Sequence, residues 1–125
     1  MILFEQLTKK FGPTTALDDI SLEIKQGEFV FIVGPSGAGK STLLRILTKE
    51  VQPSSGKVLV GHTDITKIKD KEVPSLRRKI GVVFQDFKLL DDRTVFENVA
   101  LALEVLGKNK DEINKLVEGL LFLSS

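Results

Sequence analysis

The chain has 125 residues, 42% of them apolar, and its 18 basic and 17 acidic side chains leave a net charge of +1. That length suits one domain with a sizeable core, and the near-neutral balance gives no reason to expect nucleic acid or an anionic membrane as a direct partner. With no cysteine, disulfides and thiolate metal sites are excluded. His62, the single histidine, reads as a surface or turn residue. The densest basic stretch, Lys67, Lys69, Lys71, Arg77, Arg78 and Lys79, is interrupted by Ile68, Asp70, Glu72 and Leu76, as in a solvated face. The opening "MILFEQLTKKF" has no basic leader before an apolar core, so no secretory signal is expected, and no apolar run approaches a membrane span.

Two strands are predicted first, over Ile2 to Leu7 and Ser21 to Ile24, with turn signals at "GPTT" and "KQGE". Phe29 to Val33 is apolar without a break, the pattern of a strand buried on both faces. Leu43, Leu44, Ile46 and Leu47 then fall at helical spacing, which predicts a helix from near Lys40 to about Lys49. "QPSSGKVLVG" gives a turn and a short strand, and Pro74 suits the first turn of a short helix over Val73 to Lys79. Ile80 to Phe84 reads as a second apolar strand. Thr94 and Glu97 form a capping box ahead of a stripe of Val95, Phe96, Val99, Leu103 and Leu106, closed by Gly107. Ile113, Leu116, Val117, Leu120 and Leu121 supply one apolar face of a last helix.

The chemistry is concentrated in "GPSGAGKST", Gly34 to Thr42. Gly34, Gly39, Lys40 and Ser41 satisfy the phosphate-loop pattern G-x-x-x-x-G-K-[ST]. Glycines at 34, 37 and 39 let the backbone turn successive N–H groups inward as an anion nest. The following helix points its positive end at the same place. Lys40 can reach the β- and γ-phosphates, and the Ser41 hydroxyl can ligate Mg²⁺. With glycine near 7% of ordinary composition, a chance match in a chain this long is on the order of one in a few hundred. The loop residues Gly34, Pro35, Ser36, Gly37, Ala38, Gly39, Lys40, Ser41 and Thr42 are therefore the expected nucleotide contacts.

The loop alone suits guanylate kinases and transporter ATPases equally. The residues around it, "FGPTTALDDISLEIKQGEFVFIVGPSGAGKST", resemble the ATP-binding cassette (ABC) family. That resemblance implies that Phe11 stacks on the adenine ring, where the family more often has Tyr; core packing is the other role open to it. "GVVFQD" resembles the family's Q-loop, and implies that Gln85 approaches Mg²⁺ and the attacking water. "FQDFKLLDDRTVFENVALALEVLG" is similar to the FtsE-type cell-division branch, whose partner is an FtsX-like integral membrane protein. By that resemblance the partner docks near Phe87 to Phe96, ATP is hydrolysed in a homodimer of the full-length protein, and the protein sits in the cytoplasm against the inner face of the bacterial membrane. Packing of Leu89, Leu90 and Phe96 within a helical subdomain is equally compatible with their apolar character.

The expected fold class is α/β, an ABC-type P-loop NTPase in truncated form. Its parts would be an N-terminal antiparallel β-subdomain, the phosphate-loop strand and helix, the Q-loop strand and the start of the helical subdomain. Residues 1–85 are expected to form the nucleotide-binding core and 86–125 the start of the helical subdomain. The sequence contains no Walker B run, no "LSGGQ" signature and no histidine after the Q-loop. In the family these lie farther along, so the chain reads as the N-terminal part of a longer protein, binding ATP without turnover. Lipoprotein-releasing or macrolide-export ABC ATPases, a guanylate-type kinase, and a binding module without turnover are the alternatives.

Overall fold

The computed structural model describes residues 1–37, 39–84 and 88–124. The chain forms two compact units, Met1–Gly81 and Val82–Ser125. The first holds a four-stranded antiparallel sheet of β1 (Ile2–Phe11), β2 (Thr14–Ile24), β3 (Ser55–Val60) and β4 (Thr63–Asp64) in the order β2-β1-β3-β4. It also holds α1 (Lys40–Leu47), a 3₁₀ turn (Asp70–Glu72) and α2 (Val73–Arg78). Phe4, Leu7, Leu17, Leu43, Ile46, Leu47, Val58, Ile65 and Leu76 form one apolar cluster between the sheet and the helices. Each such side chain contributes roughly 1.5–3 kcal/mol of burial.

β1 and β2 are longer than their sequence pattern suggests because bulges break the alternation. Phe4 pairs with Leu22 and Leu7 with Ile20, so three steps on β1 match two on β2. The extra residue lies beside Gln6, whose φ is +47° and whose N–H donates to the Ser21 hydroxyl. Strict alternation would put Phe4 and Leu7 on opposite faces; the bulge returns both to the core. On β2 a second bulge sits at Asp19, φ +48°, whose N–H donates to the Thr8 hydroxyl. A third leaves Ala16 unpaired between Thr15 and Leu17.

α1 ends at Leu47, earlier than the spacing predicts, in a Schellman turn. The Lys49 N–H donates to the Ile46 carbonyl and the Glu50 N–H to the Arg45 carbonyl. Lys49 takes the left-handed position, φ +59°, usually given to glycine. Its ammonium is anchored on the Ile65 and Thr66 carbonyls at 2.7 and 3.2 Å. Burial pushes the Lys49 pKa down, against the opposing pull of Asp70 and Asp64. Asp64 closes the turn after β4, with one carboxylate oxygen accepting from the Thr66 N–H at 3.0 Å and hydroxyl at 2.6 Å.

Phe29 to Val33 and Ile80 to Phe84 carry no strand pairing among the described residues, contrary to the sequence expectation. Extended segments become strands only against a neighbour that takes their N–H and C=O groups. The side chains of the first segment still alternate: Val30 and Ile32 are 41% and 42% exposed, Phe29, Phe31 and Val33 84%, 78% and 85%. One face is half-covered and the other is open, where the unbroken apolar run predicts two buried faces. A cavity of about 170 Å³ lies among Ile32, Val33, Leu17, Ile20, Leu22 and Leu43. In the second segment Val83 is fully exposed.

The second unit is a helical hairpin of α3 (Val95–Val105) and α4 (Lys110–Ser124) around Ala100, Ile113 and Val117, with Phe96, Val99, Leu103 and Leu121 packed against them. The predicted capping box is present: the Thr94 N–H donates to Glu97 and the Glu97 N–H to the Thr94 hydroxyl. Hydrogen bonds donated to the Glu97 carboxylate by the Thr94 N–H and by the Thr94 hydroxyl hold that carboxyl below its ordinary pKa. α3 closes in a Schellman turn with Gly107 at the left-handed position. Val95, Leu106, Leu116 and Leu120, assigned to the apolar stripes, are exposed. Among the described residues no helix is long and apolar enough to cross a membrane.

Candidate functional site

The phosphate loop leads from the extended segment into α1, as its sequence requires. Gly37 and Gly39 have φ of +82° and +90°, conformations that turn the peptide N–H groups to one side. They differ in surroundings. A methyl group on Gly37 would meet nothing within 4 Å, whereas one on Gly39 would lie 2.2 Å from the Ala16 carbonyl and 2.9 Å from the Leu17 side chain. The bulge at Ala16 therefore brings the β2 backbone against the loop, and Gly39 alone permits the approach.

α1 opens with Gly39 as its N-cap, without a side-chain cap and without an acidic residue in the first turn. Its leading N–H groups have no intrahelical acceptor, and no local carboxylate competes for them. The Lys40 ammonium folds back over the loop, donating to the Gly34 carbonyl and, at 2.7 Å, to the Pro35 carbonyl. Gly34, Pro35, Ser36, Gly37 and Ser41 are exposed, and Thr42 is half-buried. This donor set (open N–H groups, a held ammonium, two hydroxyls) fits a polyphosphate.

Phe11 ends β1 at a two-residue loop, Gly12-Pro13, and pairs with Thr14. It is 42% exposed and absent from the core cluster, which removes core packing as its role. Two residues back, Lys9 pairs with Leu17, which also touches the phosphate loop at Gly39. Adjacent strands lie about 4.8 Å apart, so the hairpin tip and the loop share one end of the sheet. The Lys9 ammonium sits 4.9 Å from the centre of the Phe11 ring.

Ala38, Gln85, Asp86 and Phe87 lie outside the described residues, so the structure does not address the Gln85 expectation. In the second unit Leu89, Leu90 and Val95 are exposed while Phe96 packs on the hairpin core. The segment before α3 is held by Asn98, a residue to which the sequence pattern gave no role of its own. Its carboxamide accepts from the Leu90 N–H at 2.8 Å and donates to the carbonyls of Leu90, Arg93 and Thr94. The contribution of Ala16 was hidden as well, because a bulge leaves no mark on apolar periodicity.

Comparison with known proteins adds three findings. The ABC transporter family model matches residues 17–123. The cell division ATP-binding protein FtsE of Bacillus subtilis is 56% identical over 94% of this chain, and the methionine import ATP-binding protein MetN of Geobacillus kaustophilus is 48% identical over 98%. These alignments cover 52% of the FtsE chain and 37% of the MetN chain, so this chain spans about half the length of the FtsE relatives it matches. A dimeric ATP-binding cassette in a post-hydrolysis state, bound to ADP and Pi, superposes with a TM-score of 0.84 at 38% identity, over 95% of this chain and 55% of that one.

Proposed function

The chain belongs to the ABC transporter family of ATP-binding proteins, and on that premise we propose that it is the nucleotide-binding part of an FtsE-type ATPase that acts with an FtsX-like membrane partner. The observation that carries the ATP-binding part is the phosphate loop. An uncapped helix N-terminus, two left-handed glycines and a held ammonium converge there, with the partly exposed Phe11 at the same end of the sheet.

In this proposal Gly34, Pro35, Ser36, Gly37, Ala38 and Gly39 enclose the phosphates through their backbone. Lys40 moves from its own carbonyls onto the phosphate oxygens, which exchanges neutral acceptors for charged ones. Phe11 offers a face to adenine. Ser41 and Thr42 supply hydroxyls, Ser41 together with Gln85 toward Mg²⁺, which when bound neutralises charge on the β- and γ-phosphates. Gln85 would also orient the attacking water. Residues 1–85 form the core and 86–125 the start of a helical subdomain whose surface, with Leu89 and Leu90 exposed, receives the partner. The complete protein would hydrolyse ATP as a dimer, at the cytoplasmic face of the membrane.

Calorimetric titration of the 125-residue chain with ATP should show weak binding that Lys40→Ala abolishes, with no steady-state phosphate release. Turnover that is present in this chain but vanishes with Lys40→Ala would overturn the claim that it binds without catalysis. The likeness to MetN favours a second reading, an importer ATPase. Co-purification with an FtsX-type rather than an importer-type membrane subunit separates the two.

A further inference from the structure

Phenylalanine carries no polar group by which its ring can be oriented, and Phe11 lies partly exposed at a strand end. The Lys9 ammonium occupies one side of that ring, 4.9 Å from the centroid, well inside the about 6 Å reach of a cation–π contact. Among the described residues Lys9 forms no ion pair, so the ring is the partner its charge is shown to have. The geometry is fixed by the strand: residues 9 and 11 lie on the same face of β1, and the neighbouring bulge falls on β2 at Ala16, leaving the β1 alternation intact there. The backbone of Lys9 is itself set by pairing with Leu17, which packs on Gly39 of the phosphate loop.

We infer that Lys9 is a positioning residue of the base site: its ammonium holds one face of Phe11 and presents the other to the purine. This rests on Phe11 being the base platform. A cation on the far side of an aromatic ring withdraws density from the opposite face, which strengthens stacking on an electron-rich base. It also places a positive charge at the end of the sheet that faces the nucleotide, and that alternative must be told apart from positioning.

The test is the nucleotide affinity of the 125-residue chain, with tripolyphosphate as a ligand that has charge but no base. Lys9→Ala should weaken ATP binding roughly two- to fivefold, the scale of an exposed cation–π contact. It should leave tripolyphosphate affinity unchanged, Lys9→Arg should restore ATP binding, and Lys9→Ala should have no further effect in a Phe11→Ala background. In the ligand-free chain, the Lys9 ε-methylene protons should show an upfield ring-current shift that Phe11→Leu removes. If Phe11→Ala weakens ATP binding and Lys9→Ala does not, the inference fails while the base platform stands. Equal losses for ATP and tripolyphosphate would make Lys9 a general charge and also overturn it. If Phe11→Ala leaves ATP affinity unchanged, or the chain binds neither ligand, the base-platform or phosphate-loop reading fails and takes the inference with it.

Discussion

Gly37 and Gly39 sit two residues apart in one loop and answer to different constraints. Both are left-handed, which costs an alanine about 1–2 kcal/mol. At Gly39 the added methyl must also displace the Ala16 backbone, from which it would lie 2.2 Å. Gly39→Ala should therefore lose clearly more stability in urea unfolding than Gly37→Ala; equal losses would sink the packing account. Asp64 gives a pH-dependent case. Its carboxyl is raised by burial but carried below its ordinary pKa by the Thr66 hydroxyl and N–H and by Lys67, 3.6 Å away. The folded state thus binds this proton less readily than the unfolded state, so the contribution is complete above about pH 4 and is lost as pH falls through the depressed value. Between pH 5 and 3 the stability of Asp64→Asn should fall less steeply than that of the parent. Parallel curves in that range would exclude Asp64 as a contributor to acid lability.

Helix boundaries illustrate what an element needs beyond periodicity. α3 was legible at both ends because Thr94, Glu97 and Gly107 are the residue types that caps require. α1 closes with the same backbone bonds, yet with Lys49 where glycine is expected. Its left-handed strain is held by bonds to Ile65 and Thr66, 16 and 17 residues farther along the chain and beyond any local signal. Asn98 belongs to the same class of device: one carboxamide ties four backbone groups of the Leu90–Thr94 turn to the first turn of α3. Thr94→Ala should cost about 1 kcal/mol, as N-cap losses do. Asn98→Ala removes more bonds, each worth about 1 kcal/mol, and should destabilise the hairpin further and loosen the Leu89–Leu90 surface. Hydrogen exchange at the Leu90 N–H reads this directly. Unchanged protection there in Asn98→Ala would refute the role of the clamp.

At the scale of the whole molecule, the two apolar segments that lack strand partners dominate. Phe29, Phe31, Val33 and Val83 expose most of their surface, and their backbone is unpaired among the described residues. Exposed apolar edges of this kind promote association. Sedimentation of the 125-residue chain should therefore show self-association, and it should bind a hydrophobic dye. Phe31→Glu combined with Val83→Lys should reduce both without altering the far-UV spectrum. A monodisperse monomer with a sharp, cooperative melt would contradict this.

The phosphate loop, the helix after it and the capping box of α3 were decided by sequence alone, because each depends on residues adjacent in the chain whose types are dictated by backbone geometry. Glycines at the turning points, a lysine at the helix start and a Thr/Glu pair admit few other uses. The β-bulges at Gln6, Asp19 and Ala16, the anchoring of Lys49, and the pairing of Lys9 with the Phe11 ring were decided by tertiary structure. So was the failure of Phe29 to Val33 to become a strand. An apolar run records that a segment is fit for burial, but a ladder forms only when another strand lies beside it to take its hydrogen bonds.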